Sequence, residues 1–97
     1  MSYEYRNIPM EFDVVGFARN AIYEIDTYIK PNSGLTDAEI GVLSLNIAEY
    51  IVPLLRGIVK GSATCMKTQT DCVSINVFLE VCNALGLDPR RYFLLAE

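Results

Sequence analysis

The chain has 97 residues, which is about one domain with a single apolar core. Its formal net charge of −4 argues against a dedicated nucleic-acid binder, because such proteins concentrate positive charge against phosphates. Hydrophobic residues make up 52% of the sequence, more than so small a domain can enclose, so we expect a second copy or another partner to cover part of the apolar surface.

The N-terminal segment, residues 1–11, is predicted to be an extended arm, and residues 12–97 are predicted to form a single helical domain. Pro9 disfavours a helix in the arm, because the residue before a proline avoids the α conformation. The arm carries Tyr3 and Tyr5, whose rings are candidate contacts with the domain or with a second subunit.

The first helix is predicted between Glu11 and Lys30. Apolar residues recur there at the spacing of an amphipathic helix, at Val14, Phe17, Ala18, Ala21, Ile22, Ile25, Tyr28 and Ile29. The run Pro31-Asn32-Ser33-Gly34 is expected to end this helix, since a proline after the last turn is typical of a helix end.

The second helix is predicted to begin with a capping box at Thr36-Asp37-Ala38-Glu39. Two interpretations of the next residues stay open. In the first, one long helix kinked at Pro53 continues to Lys60, and the fold is a long-helix hairpin with C-terminal helices. In the second, which we favour, Ser44-Leu45-Asn46 is a turn and Asn46 caps a third helix. The first is supported by an apolar seam at Ile40, Leu43, Ile47, Ile51, Leu54 and Ile58.

The rest of the chain is predicted to contain a polar loop over residues 57–71 and two further helices. One covers Ser74–Leu85, with Gly86 as its C-cap. Its residues expected to face inward are Ile75, Phe78, Leu79, Val81, Cys82 and Leu85. Asp88-Pro89 is predicted to begin a last short helix that packs Tyr92, Phe93, Leu94 and Leu95. The predicted fold class is all-α, a small bundle of about five helices.

Residue types that catalytic and metal sites need are scarce. The sequence has no histidine, no Gly-rich phosphate loop and no nucleophile motif, so we predict no enzyme, no cofactor and no small-molecule substrate. Cys65 and Cys72 are not spaced like the ligands of a zinc site. They could close a loop disulfide, but we favour reduced thiols in a cytoplasmic protein. No apolar run is long enough for a membrane span.

Four stretches resemble the helix-turn-helix core of phage Cro/CI-type repressors, the XRE-like family: Leu35–Gly41, Leu43–Asn46, Tyr50-Ile51 and Arg56-Gly57. The tail Ala84–Pro89 is similar to the end of that family's fourth helix. The resemblance implies a small phage-type or bacterial transcriptional regulator that binds DNA as a dimer. The nucleic-acid contacts that it implies are Asn46, Ala48, Glu49, Arg56, Lys60 and Lys67.

The residues of the implied recognition helix favour an alternative. Its groove-facing positions, Asn46, Ala48, Glu49 and Val52, include no arginine or lysine, and an acidic side chain is repelled by phosphates. The alternative is an acidic helical protein-binding module without DNA readout, such as an antirepressor, an anti-CRISPR-like protein or a polymerase-binding inhibitor. Candidate contacts with a partner or in a homodimer are Tyr3, Tyr5, Tyr92, Phe93 and Leu94.

Overall fold

Four helices, one 3-10 turn and a two-stranded ribbon form the part of the chain that the computed structural model describes, residues 10–61 and 74–95. The elements are β1 (Met10–Phe12), α1 (residues 14–33), α2 (residues 37–44), α3 (Ile51–Lys60), α4 (Ile75–Leu85), the 3-10 turn (Pro89–Tyr92) and β2 (Phe93–Leu95). The predicted small all-α bundle is confirmed. Of the residues singled out above, Tyr3, Tyr5, Pro9, Cys65, Lys67 and Cys72 lie outside the described ranges, as do residues 1–9 of the predicted arm and residues 62–71 of the predicted loop.

Helix α1 continues past Pro31, where the sequence pattern predicts its end. It consists of an α-helical part, Val14–Glu24, a π-helical turn, Ile25–Ile29, and a last α-helical turn, Lys30–Ser33. In a regular α-helix the Pro31 ring would clash with the carbonyl of the previous turn. The π turn changes the backbone directly before the proline, so the helix continues and the predicted end is wrong.

Helices α2 and α3 are separate, so the interpretation as one long kinked helix is wrong. The capping box that begins α2 is confirmed, because the Glu39 amide donates to Thr36 Oγ1 at 3.2 Å and the Thr36 amide donates to Glu39 Oε1 at 2.9 Å. The α-helical residues Asp37–Glu39 lead into a second π turn, Ile40–Ser44. The chain then turns over residues 45–50 before α3 begins.

Asn46 lies inside this turn and does not cap α3, so its predicted capping role is wrong. Its φ is +60°, a left-handed conformation that asparagine adopts more readily than most side chains do. Tyr50 holds the N-cap position of α3 and makes no side-chain capping bond. Pro53 falls in the first turn of α3, where its missing N–H removes no helical hydrogen bond.

The described part of the chain closes on itself through the ribbon. Asp88 caps the 3-10 turn by accepting from the Arg90 amide at 3.0 Å. Beyond Tyr92 the chain is extended, and β2 pairs antiparallel with β1, Phe12 lying opposite Phe93. The predicted last helix is therefore wrong beyond Tyr92, because pairing with a strand distant in sequence replaces helical bonds that the local pattern favoured.

The core lies where α1, α3 and α4 meet, and α1 packs most extensively on α3. Its best-buried large side chains are Phe17, Phe78, Ile25, Ile40, Ile51, Leu55, Ile58, Val52, Val81 and Cys82. Five rings form an aromatic cluster between α1, α4 and the ribbon: Phe12, Phe17, Phe78, Tyr92 and Phe93. The bounds predicted for α4 are confirmed, with Ser74 and Gly86 as its caps. Ile75 and Leu79, expected inward, are 56% and 44% exposed.

Candidate functional site

The turn between α2 and α3 is held by backbone hydrogen bonds and by one buried side chain. The Leu45 amide donates to the Ile40 carbonyl, and the Ile47 amide donates to the Gly41 carbonyl, both at 2.9 Å. Leu45 itself is only 2% exposed and anchors the turn in the core. These contacts fix the backbone path of the turn, including its last residues, 48–50.

Helix α2 approaches this turn so closely that position 41 accommodates glycine alone. A Cβ on Gly41 would collide with the Ala48 carbonyl oxygen and would lie 3.0 Å from Ile51 Cγ2. The same carbonyl accepts from the Ile51 amide at 3.3 Å. It cannot move away without disturbing the start of α3, so the close approach fixes α3 against α2.

The π turn of α2 places Leu43 on the outside of the domain. In an α-helix Leu43 would share a face with Ile40, as the apolar seam predicts. The π turn closes an amide-to-carbonyl bond five residues apart, so Leu45 takes the inward position after Ile40. Leu43 is 67% exposed and Val42 is 42% exposed, so the apolar seam of the long-helix interpretation does not run through Leu43.

These side chains line a shallow groove of about 260 Å³, which we name the α2 groove. Its lining residues are Ala38, Glu39, Val42, Leu43 and Glu49. The walls are mostly apolar, whereas two other depressions, on α4 and between α1 and the 3-10 turn, have mostly polar walls. Tyr50, the next residue after Glu49, exposes 59% of its surface. The α2 groove is thus a concave apolar surface with carboxylates among its lining groups.

The residues implied for DNA contact are not presented together by α3. Asn46 and Glu49 are exposed in the turn, and Ala48 is half-buried. Helix α3 itself packs into the core through Ile51, Val52, Leu55 and Ile58. Its exposed residues are Pro53 and Lys60, at opposite ends of the helix.

Arg56 is the centre of an ion-pair cluster that joins three helices. Its guanidinium donates to both Asp37 carboxylate oxygens, at 2.8 and 3.1 Å, and to both Asp26 carboxylate oxygens, at 2.7 and 3.0 Å. Lys30 Nζ adds a contact of 2.8 Å to Asp37. The guanidinium that the resemblance assigns to phosphate thus ties α3 to α1 and α2 in this structure.

These contacts shift the pKa values of Asp37, Asp26 and Arg56. Hydrogen bonds from Arg56 and then Lys30 lower the pKa of Asp37 from 3.8 to about 2. The Arg56 hydrogen bond also lowers the pKa of Asp26, and the two carboxylates raise the pKa of Arg56. A depressed carboxyl pKa stabilises the folded state above its unfolded value of 3.8, and this contribution is lost as pH falls towards 2.

We expect Arg56→Met to lower the free energy of unfolding by about 1–2 kcal/mol at neutral pH, between the values for surface and buried ion pairs. Because the paired carboxylates become protonated in acid, the difference from the native chain should shrink as pH falls from 4 to 2. This difference in the free energy of unfolding is measured by urea unfolding of the native chain and the Arg56→Met variant at several pH values. Lys30→Met, which removes the more exposed contact, is the matched control and should cost at most about 0.5 kcal/mol. A difference that is the same at pH 2 and pH 7 contradicts the electrostatic role.

The predicted partner contacts at the C-terminus have different environments. Tyr92 is 4% exposed, and its hydroxyl accepts from Asn20 Nδ2 at 2.8 Å. Phe93 is half-buried and stacks on Phe12 with ring centroids 5.3 Å apart. Leu94 lies in β2 opposite Glu11. Within one chain, the rings of Tyr92 and Phe93 thus contribute to the core.

Sequence reasoning missed Val42 and Tyr50 as exposed residues, and it did not connect Glu39 with an apolar groove. The sequence did indicate the exposure of Val42. Val42 follows Ile40 by two residues, and such a spacing places two side chains on different faces of a helix. Exposed rings also occur on α1, where Tyr23 and Tyr28 meet edge to face at 6.4 Å. The apolar surplus of the composition is therefore partly at the surface.

The remaining chemistry of the described residues is sparse. Burial raises the pKa of the Cys82 thiol to about 11, so this cysteine is an inert core residue at neutral pH. Within residues 10–61 and 74–95, no three metal-ligating side chains come together. No helix in these ranges combines the length and the hydropathy that crossing a membrane needs.

Protein-family models, curated proteins and solved structures give no match to this chain. The Cro/CI-type resemblance, which depends on the residues quoted above, therefore stays a prediction.

Proposed function

We propose that the chain is a small helical protein-interaction module that binds a protein partner through the α2 groove. The observation that carries the proposal is the exposure of Leu43 and Val42, which line this groove together with Glu49 from the neighbouring turn. Leucine, valine and tyrosine side chains each gain free energy when a partner removes them from water. A preformed groove also limits the conformational entropy that binding costs.

The charges of the described residues agree with a protein partner better than with DNA. Arg56 and Lys30 are neutralised by Asp37 and Asp26. Glu49 lies at the end of the turn that precedes α3, where a phosphate backbone would be repelled. The net charge of −4 favours association with a positively charged region of another protein.

The groove is tested by selecting peptides from a random displayed library against the immobilised chain. We expect selected peptides to bind the native chain and to bind Leu43→Ser at least about tenfold more weakly, because an apolar anchor at an interface centre carries much of the affinity. Leu79→Ser, an exposed leucine on α4, is the matched control and should bind like the native chain. Peptides that bind all three chains equally contradict a docking role for the α2 groove.

A second candidate is the DNA-binding regulator that the resemblance implies, acting as a homodimer. In its favour, α2, a turn and α3 follow one another in helix-turn-helix order, and Asn46 and Lys60 are exposed. It predicts that a DNA duplex is retarded in a low-salt mobility assay and released steeply as salt rises. Absence of any retardation at low salt would remove this candidate.

A further inference from the structure

We infer that the segment docking in the α2 groove is cationic, an apolar anchor flanked by lysine or arginine. This inference rests on the proposed function, and it specifies the chemistry of the partner. Among the five lining residues, three are apolar, two are glutamates and none is basic. The groove therefore offers an apolar contact and negative charge at the same place.

The Glu39 carboxylate is positioned before any partner arrives. Its Oε1 atom accepts from the Thr36 amide at 2.9 Å and from the Thr36 hydroxyl at 3.2 Å. A carboxylate held by a capping box loses little further side-chain entropy when it pairs with a cation. Glu49 lies in the turn that the Gly41 contact fixes, so both carboxylates are attached to backbone held by hydrogen bonds.

These two carboxylates are also not neutralised within the part of the chain that the structure describes. The ion pairs found there use Asp26, Asp37 and Asp88 as their acids. Glu39 and Glu49 take part in none of them, although Asp37 lies on the same short helix as Glu39. The negative charge beside the groove is therefore available for a partner's cations.

The same charges disfavour the other occupants of an apolar groove. Two copies of the chain docked groove to groove would bring their Glu39 and Glu49 side chains together, and like charges across an interface oppose association. A nucleic-acid backbone would be repelled for the same reason. A basic amphipathic segment satisfies the apolar walls and the carboxylates at once.

The test compares the native chain with the double variant Glu39→Gln/Glu49→Gln, which removes both charges. Glutamine also serves at the third position of a capping box, so α2 keeps its start and the variant is expected to fold. Random displayed peptides are selected against each chain, and the most enriched ones are synthesised. Their Kd values are measured by fluorescence anisotropy at about 0.05 M and about 0.5 M salt, which differ strongly in charge screening.

We expect the native chain to enrich lysine and arginine beside an apolar anchor. The double variant should bind these peptides about tenfold more weakly at low salt, and the gap should narrow at high salt. Leu43→Ser should weaken binding at both salt concentrations, because its contribution is apolar.

Several results would overturn the inference, and they separate it from the proposed function. If selected peptides need Leu43 but carry no excess of basic residues, or bind the double variant equally well, the groove docks proteins without charge selection. If no peptide depends on Leu43, the proposed function fails as well. If sedimentation shows a dimer of the native chain that Leu43→Ser dissociates, the occupant is a second copy.

Discussion

Replacing Phe78 by alanine is expected to lower the free energy of unfolding by about 4 kcal/mol, a typical value for loss of a buried ring. Phe78 is 1% exposed and lies at the centre of the aromatic cluster. Its centroid is 4.8 Å from that of Phe17 and 4.9 Å from that of Phe12, both in edge-to-face geometry. The ring thus joins α4 to α1 and to the ribbon, and a cavity there would loosen all three.

Urea unfolding followed by circular dichroism measures this effect. Leu79→Ala changes the next residue on α4, which is 44% exposed, and should cost no more than about 1 kcal/mol. Phe78→Leu keeps most of the apolar volume and should fall between the two, so it supplies a folded reference if the alanine variant is unfolded. Equal stabilities for the Phe78→Ala and Leu79→Ala variants contradict the central position of the Phe78 ring.

Gly41→Ala is expected to lower the free energy of unfolding by about 3 kcal/mol, which is large for the addition of one methyl group. In an unconstrained helix the same change would stabilise the fold by up to about 1 kcal/mol, because alanine has the higher helix propensity. Here the new Cβ would collide with the Ala48 carbonyl oxygen. That oxygen accepts from the Ile51 amide, so relief of the collision displaces the start of α3.

The sign of the Gly41→Ala effect is therefore the decisive observation. Ser44→Ala, at an exposed position on the same π turn, is the control and should change stability by less than about 0.5 kcal/mol. A Gly41→Ala variant as stable as the native chain, or more stable, would mean that α2 and the turn are not in this close contact. Peptide binding in the α2 groove should weaken together with stability, because Glu49 is positioned by the same turn.

Local signals predicted the start of α2 and both bounds of α4, but not the start of α3. The Thr36–Glu39 capping box and the Ser74 and Gly86 caps act over three or four residues, so the sequence alone contains them. The pairing of β1 with β2 is different, because Phe12 and Phe93 are distant in sequence and no local pattern links them. Apolar residues at positions 92–95 fitted a helix equally well until that pairing decided the conformation.

The candidate site depends on a feature that periodicity does not report. The seam through Ile40 and Leu43 has helical spacing, so the pattern placed Leu43 in the core. The π turn moves Leu43 off the apolar stripe of α2, and Leu45 is the buried residue after Ile40. Glu49 was singled out from the sequence as a residue of the implied nucleic-acid contact, and in the structure it lines the α2 groove.

Pairing of the two ribbon strands has a consequence for how the chain folds during synthesis. Met10 is synthesised before its partner Leu95, and nearly the whole described chain lies between the two residues. Closing so long a loop costs entropy before any contact rewards it, which slows folding. Nascent chains halted before Phe93 is outside the ribosome lack one ring of the aromatic cluster, so we expect α1 and α4 to be open to proteolysis in such chains.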